Sequence, residues 1–296
     1  MSLILPDGFP VVEDLCDEGI ARELLCGKVE DASRTLRILI VNLMPVKRDA
    51  ERDFLRLLVH SPYDISVDFL HMKSHISKNT PMQHVETFYK DFDGIAADEY
   101  DGMILTGAPV EHLPFEDVDY WKELCRVMDW ATTHVRSMLC VCWGAQAALY
   151  HYYGINKHAF TEKMFGVFPH TLRVPESKIV WGFDDVFYIP HSRYTEVRAD
   201  EIECVKDLRI VATSAMAGVY MVEDEERKRI FVTGHAEYAR NTLHHEYQRD
   251  LAKGLHIHIP NNYYPSDDVT REPLMRWRSC ANLLIGNWLC CYVASR

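Results

Sequence analysis

The sequence predicts an α/β fold built on a doubly wound, mostly parallel sheet. Three observations predict it. Runs of branched apolar residues recur through the first half, at 36–43 (LRILIVNL), 101–106 (DGMILT) and 138–141 (MLCV), as parallel strands covered on both faces require. Helical stretches alternate with these runs, the pattern of a doubly wound parallel sheet. Loops rich in glycine and proline follow the first two runs, and in such sheets ligands sit beyond the C-terminal strand ends.

In chain order, residues 1–35 read as an arm preceding the main fold, with loops at Pro6, Gly8 and Pro10 and a short helix within 12–25. After the first strand and the loop Met44-Pro45-Val46-Lys47, a helix is expected over 49–58, with Phe54, Leu55, Leu57 and Leu58 towards the sheet. A strand follows at 65–70, a polar loop at 73–81 and a helix at 83–92. The 101–106 strand closes on Gly107-Ala108-Pro109, and a helix is expected over 120–134. Beyond residue 155 shorter strands are expected at 165–174, 186–189, 209–212, 217–222 and 229–233, with a hairpin tip at 224–227. Helices at 242–255 and 273–293 complete the chain, the second burying Trp277, Leu284, Trp288 and Leu289. With no long linker or repeat, 36–296 reads as a single α/β domain carrying the 1–35 arm.

Composition narrows the function. The 296 residues hold 48% hydrophobic and 26% charged residues, ordinary for a globular chain with a sizeable core. A formal net charge of -12 argues against a nucleic-acid groove, which needs clustered Lys and Arg. Nine scattered cysteines without a CxxC pair argue against a disulfide framework and suggest a reducing cytoplasm. Neither a signal peptide nor a membrane span is predicted.

Two stretches carry chemistry. In Cys140-Val141-Cys142-Trp143-Gly144-Ala145-Gln146 an apolar strand turns at once into a helix. Such a turn lifts a side chain out of the packed layer and places it at a helix N-terminus, which favours thiolate over thiol. Cys142 is the expected nucleophile, Trp143 N–H the oxyanion donor, and Cys140, one step inside the strand, an inert core thiol. In Val232-Thr233-Gly234-His235-Ala236-Glu237 a buried strand ends in His-x-Glu. Residues two apart in an extended segment point the same way, so Glu237 can orient His235 towards a nucleophile. A Cys, a His and an orienting acid suit nucleophilic acyl transfer. His244-His245 and His256-x-His258 lack a cysteine pair, and HExxH is absent, so no metal site is expected.

Together these pieces resemble the homoserine O-acyltransferases of the MetA type, which open methionine biosynthesis. The resemblance runs through Ile40-Val41-Asn42-Leu43-Met44-Pro45, Ser77-Lys78-Asn79-Thr80-Pro81, Leu105-Thr106-Gly107-Ala108-Pro109-Val110-Glu111 and Cys142-Trp143-Gly144-Ala145-Gln146. It continues through Phe165-Gly166-Val167-Phe168, Pro190-His191-Ser192-Arg193, the His235-x-Glu237 stretch, Asn241-Thr242-Leu243 and Trp277-Arg278-Ser279-x-Ala281-Asn282. It implies a flavodoxin-like fold of the class I glutamine amidotransferase type, a homodimer, and no bound cofactor. It also implies an acyl-enzyme on Cys142, formed from acyl-coenzyme A and passed to an amino-acid hydroxyl, with His235 as base and Glu237 as its partner. Arg249 matches the position that holds the amino-acid carboxylate, and Lys163 and Ser192 match other substrate-pocket positions.

Glu111 matches a position where acetyl users of the family tend to have glutamate and succinyl users glycine. A carboxylate there excludes the distal carboxylate of a succinyl group by volume and by charge, so acetyl-CoA is the expected donor. The family often reads Met-Pro-Lys-Lys followed by a Thr- and Glu-rich stretch, where this chain has Val46 and Arg48-Asp49-Ala50-Glu51-Arg52-Asp53. Its common proline between the catalytic His and Glu is Ala236 here. The first two departures are expected at the active-site face, and they leave serine open beside homoserine as acceptor, because a pocket discriminates one methylene by only about 1–3 kcal/mol. Serine O-acetyl transfer and homoserine O-succinyl transfer are the alternatives on the same scaffold, and a glutamine amidotransferase subunit, which shares the same Cys-His-Glu set, is the more distant one.

Overall fold

The computed structural model describes residues 2–26, 35–75 and 79–295. Ser77 and Lys78 of the resemblance, and residues 27–34 of the arm, lie outside the described residues. The strands are β1 (Leu3–Ile4), β2 (Leu36–Val41), β3 (Ile65–Leu70), β4 (Tyr89–Lys90), β5 (Tyr100–Leu105), β6 (Val135–Val141), β7 (His158–Leu172), β8 (Val186–Glu196), β9 (Arg209–Ser214), β10 (Gly218–Asp224) and β11 (Arg229–Val232). They form one sheet in the order β1-β3-β2-β5-β6-β11-β10-β9-β7-β8, with β4 also pairing β3. Pairing is parallel from β1 to β11 and antiparallel from β11 to β8. The mostly parallel α/β sheet expected from the sequence is therefore present.

The helices are α1 (Val11–Asp17), α2 (Lys47–Leu58), α3 (Met82–Phe88), α4 (Phe92–Ile95), α5 (Trp121–His134), α6 (Trp143–Tyr153), α7 (Ala199–Glu203), α8 (Thr242–Ala252) and α9 (Arg278–Trp288). Strand periodicity sorts the core into two layers. Ile38 and Ile40 of β2 pack in one cluster with Phe54, Leu55 and Leu58 of α2 and Trp288 of α9. Leu39 and Val41 point the other way and pack with Leu124, Val127 and Met128 of α5 and Ala147 and Ala148 of α6. No helix among the described residues is long and apolar enough to cross a membrane.

The structure departs from the sequence reading where tertiary contacts override local pattern. The helix expected over 83–92 ends at Phe88, because Tyr89–Lys90 pair in parallel with Phe69 and Leu70 of β3. Tyr89 OH meets Glu51 there and accepts from Asn42 Nδ2 (2.9 Å). A separate helix, α4, then starts at an Asp91 side chain that accepts the Gly94 N–H. The last helix begins at Arg278 rather than 273. The preceding segment is pinned by Leu274 N–H to Tyr263 O (3.0 Å) and Trp277 Nε1 to Tyr238 O (2.8 Å). Strands β7 and β8 are longer than the apolar runs, since each pairs the other as one long ribbon.

Between β7, β8 and β10 a fully buried relay of two neutral histidines ties the ribbon down. Arg193 Nε donates to His191 Nδ1 (3.2 Å), so His191 Nε2–H donates to His170 Nε2 (3.1 Å) and His170 Nδ1–H to Phe168 O (2.9 Å). Burial pushes His170 down to about 3 and His191 well below the ordinary value of 6.5. The unfolded chain takes up these protons from about pH 6.5 downward while the folded chain refuses them, so this contribution to stability is complete above pH 6.5 and falls as pH drops towards 3. In urea melts the wild type should lose about 2 kcal/mol more between pH 7 and pH 5 than His170→Gln does. Equal losses would remove His170 from the acid response.

Candidate active site

Strand β6 delivers Cys142 to the C-terminal edge of the sheet, and α6 starts one residue later. Cys142 has φ 53° and ψ −117°, a conformation that L side chains adopt at a cost of about 1–3 kcal/mol. Its surroundings hold it there. Cys142 N–H donates to Val232 O (2.7 Å), and its carbonyl accepts the N–H groups of Ala145 and Gln146 (3.1 Å each). Gly144 permits the sharp turn: a Cβ there would stand 2.4 Å from Thr106 O and 2.8 Å from Leu105 O. Trp143, the first helical residue, has an N–H with no intrahelical acceptor beside the sulfur. Cys140 is buried in β6, where burial pushes its thiol up to about 12.

His235 arrives from β11, with its N–H donated to Pro190 O (2.8 Å). The segment is not extended as the sequence reading assumed; it turns at Ala236–Glu237, with Tyr238 N–H reaching His235 O (3.4 Å). The turn still brings Glu237 Oε1 to 2.6 Å from His235 Nδ1. Tyr238 stacks on the imidazole at 4.1 Å between centroids, 14° from parallel. Burial alone would lower the His235 pKa. The charges of Cys142 and Glu237, with hydrogen bonds to both, outweigh burial and hold it well above the usual histidine value. Gly107 lies over the pair: a Cβ there would be 3.3 Å from Cys142 Cβ and 3.5 Å from His235 Cε1. Cys142, His235 and Glu237 are thus brought together in one buried group.

The other expected residues converge on a neighbouring polar cluster. Lys163 is buried, with Nζ 3.0 Å from Asp250 Oδ2 and 3.4 Å from Glu246 Oε2, over the Phe165 ring. Ser192 Oγ donates to Glu246, and Tyr238 OH donates to the same carboxylate (3.0 Å). Arg249 Nε donates to Asp250 Oδ1 (2.8 Å) while half its side chain stays exposed. Because Tyr238 also stacks on His235, this cluster is continuous with the Cys-His-Glu set. Glu246, Asp250 and Tyr238 were not singled out from the sequence. Glu246, Arg249 and Asp250 stand at i, i+3 and i+4 on α8, a spacing that puts both acids on the face of Arg249.

Glu111 is half-buried on the loop after β5. Arg193 is fully buried; burial lowers its pKa to about 10, while the charges of Cys142, Glu196 and Glu111 act to raise it. Arg193 therefore feels the charges of both Cys142 and Glu111. The sequence reading quoted Arg193 only within a motif.

The departures at 46–53 lie in the loop after β2 and the first turns of α2. Arg48 pairs with Asp14 of α1 (2.6 Å), Arg52 pairs with Asp49 (3.2 Å), and Val46 is exposed. Arg48 thereby fastens α2 to α1, whereas Arg52 lines a cavity together with Ala236, Glu237 and Tyr238. Asp53 is buried against Arg56 (2.8 Å), and burial pushes its carboxyl up to about 7. Among the described residues no group of three or more His, Cys, Asp or Glu side chains could hold a metal.

The profile of the homoserine O-succinyltransferase family matches residues 2–296. The chain is 49% identical over 293 residues to a homoserine O-acetyltransferase of Acetivibrio thermocellus, covering 99% of this chain and 96% of that protein. It is 51% identical over 289 residues to one of Bacteroides fragilis (98% and 95%), and 51% identical over 293 residues to one of Brevibacillus brevis (99% and 96%). Among solved structures, a glutamine amidotransferase of Thermotoga maritima superposes with a TM-score of 0.58 at 15% identity, over 88% of this chain and 99% of that one. A glutamine amidotransferase of Methylobacillus flagellatus gives 0.53 at 12% identity, over 86% and 94%. At these identities the likeness speaks for the fold alone.

Proposed function

The chain belongs to the homoserine O-succinyltransferase family, a family of acyltransferases, and from that premise we propose that it carries an acetyl group from acetyl-CoA to the hydroxyl of homoserine through a Cys142 acyl-enzyme. The observation that carries this reading is the buried Cys142–His235–Glu237 set, continuous through Tyr238 with an Arg249-bearing polar cluster. In the first half-reaction the Cys142 sulfur attacks the thioester carbonyl. The bond from that carbon to the coenzyme sulfur breaks, and the departing thiolate takes the His235 proton. In the second, His235 removes the homoserine hydroxyl proton as the oxygen attacks the acyl carbon, and the Cys142 sulfur leaves. Trp143 N–H faces the oxyanion in both steps. Side chains carry every step, so no bound cofactor enters the scheme.

Arg249 holds the acceptor carboxylate with the part of its fork that Asp250 leaves open. Arg249→Lys keeps the charge and loses the fork, so the homoserine KM should rise about tenfold or more while the acetyl-CoA KM stays put. An equal rise in both, or in neither, would make Arg249 structural.

Glu111 supports acetyl over succinyl. A succinyl carboxylate about 4 Å from it would meet a repulsion of roughly 4 kcal/mol at an effective dielectric of 20. Measured with homoserine and serine against acetyl- and succinyl-CoA, the wild type should favour homoserine with acetyl-CoA. Glu111→Gly should raise relative kcat/KM for succinyl-CoA. An unchanged donor ratio in Glu111→Gly would show that this residue does not select the acyl group.

A further inference from the structure

A cavity of about 440 Å³ lies at the C-terminal ends of β2, β3 and β5, on the other wall of the loop that covers Cys142. Its apolar lining comes from Leu43, Met44, Pro45, Met72, Pro109 and Val110. The volume falls in the range of about 300–1,000 Å³ that suits a small ligand. Gly107 touches Cys142 and His235, and Pro109 and Val110 follow two and three residues later. At 3.8 Å per residue the wall begins within about 8–12 Å of Gly107. Leu43 N–H, donated to Thr106 Oγ1 (2.8 Å), fixes the cavity floor to the same loop.

Among the described residues the cavity carries the lysines Lys47 and Lys73, the histidines His71 and His75 and the carboxylate of Glu86. Lys73 pairs with Asp91 (3.0 Å), His75 with Asp119 (2.7 Å), and Lys47 Nζ donates to Asn42 O (2.6 Å). None of Lys163, Ser192, Glu246 and Arg249 lines this cavity. An apolar wall with a few neutral polar groups, such as Asn79 and Thr80, suits an uncharged ligand carrying amides.

We propose that this cavity seats the pantetheine arm of the acyl donor, its thioester reaching past Gly107 to Cys142. The arm is uncharged, carries two amides and, beyond them, an apolar dimethyl-bearing carbon, and must run outward from the thioester sulfur. The donor thus approaches over the Pro109–Val110 side of the loop, and the acceptor from the Arg249 side. The inference rests on acetyl-CoA being the donor.

Met82 is 52% exposed at the rim and Met44 is half-buried, so Met82→Trp and Met44→Trp narrow the cavity without touching the catalytic set. At least one should raise the acetyl-CoA KM about tenfold or more. The homoserine KM should not move, nor should the rate at which p-nitrophenyl acetate, an acetyl donor without the arm, acetylates Cys142. Equal losses with both donors, an unchanged acetyl-CoA KM in both variants, or a rise confined to the homoserine KM would each overturn the assignment. A wild type that reacts with p-nitrophenyl acetate but not with acetyl-CoA overturns the donor reading, and the cavity assignment with it. A wild type acetylated by acetyl-CoA whose variants keep its KM overturns the cavity assignment alone.

Discussion

Cys142→Ala should abolish acetyl transfer, a loss on the order of 10⁴–10⁶-fold in kcat with acetyl-CoA and homoserine. The reasoning is geometric. Among the described cysteines, Cys142 stands where a strand ends at a helix N-terminus beside an imidazole. Its strained backbone persists only because Val232, Ala145 and Gln146 hold it and Gly144 leaves room for the β5 carbonyls. Alanine relieves no contact that the fold needs, so thermal unfolding should stay near wild type while turnover vanishes. Cys140→Ala serves as the control, since that thiol is sealed in β6 and its loss should leave turnover intact. Retained activity in Cys142→Ala would remove the acyl-enzyme from the scheme.

His235→Ala is the second large effect, on the order of 10²–10⁴-fold, because one imidazole protonates the departing thiolate and later deprotonates the acceptor hydroxyl. Glu237→Gln should cost less, since Glu237 orients the ring and exchanges no proton. The pH profile separates the two roles. Glu237 is one of the charges that raise the His235 pKa against the effect of burial. Without that charge the pKa falls, and imidazolium is lost at a lower pH. The alkaline limb of kcat/KM for acetyl-CoA should therefore move to lower pH in Glu237→Gln. A Glu237→Gln profile superimposable on the wild type would leave Glu237 outside the catalytic set.

The strand cores and the nucleophile turn were legible in the sequence because local pattern and tertiary role agree there. Residues 36–43 are apolar at nearly every position because both faces of β2 are covered, and the Cys-Trp-Gly run is short because Gly144 must pass the β5 carbonyls. The 83–92 segment was misread because Tyr89 obeys a sheet neighbour and a buried carboxylate far away in sequence, not its own helical period. Lys163, Ser192 and Arg249 entered through resemblance. Their partners Glu246 and Asp250 were missed because acids on a helix surface look alike until the fold shows which ones face a lysine. Arg193 was passed over for a related reason: its three hydrogen bonds run to His191 and to the carbonyls of Thr195 and Ala217, so no charged partner in sequence announces a buried guanidinium.

The central claim is tested most directly by intact-mass and peptide analysis of wild-type protein mixed with acetyl-CoA and no acceptor. The account predicts one added acetyl group, located on the peptide that contains Cys142 and discharged when homoserine is added. A protein that turns over with homoserine yet carries no acetyl group on Cys142 at any time after mixing, with initial-rate lines that intersect instead of running parallel, would contradict it.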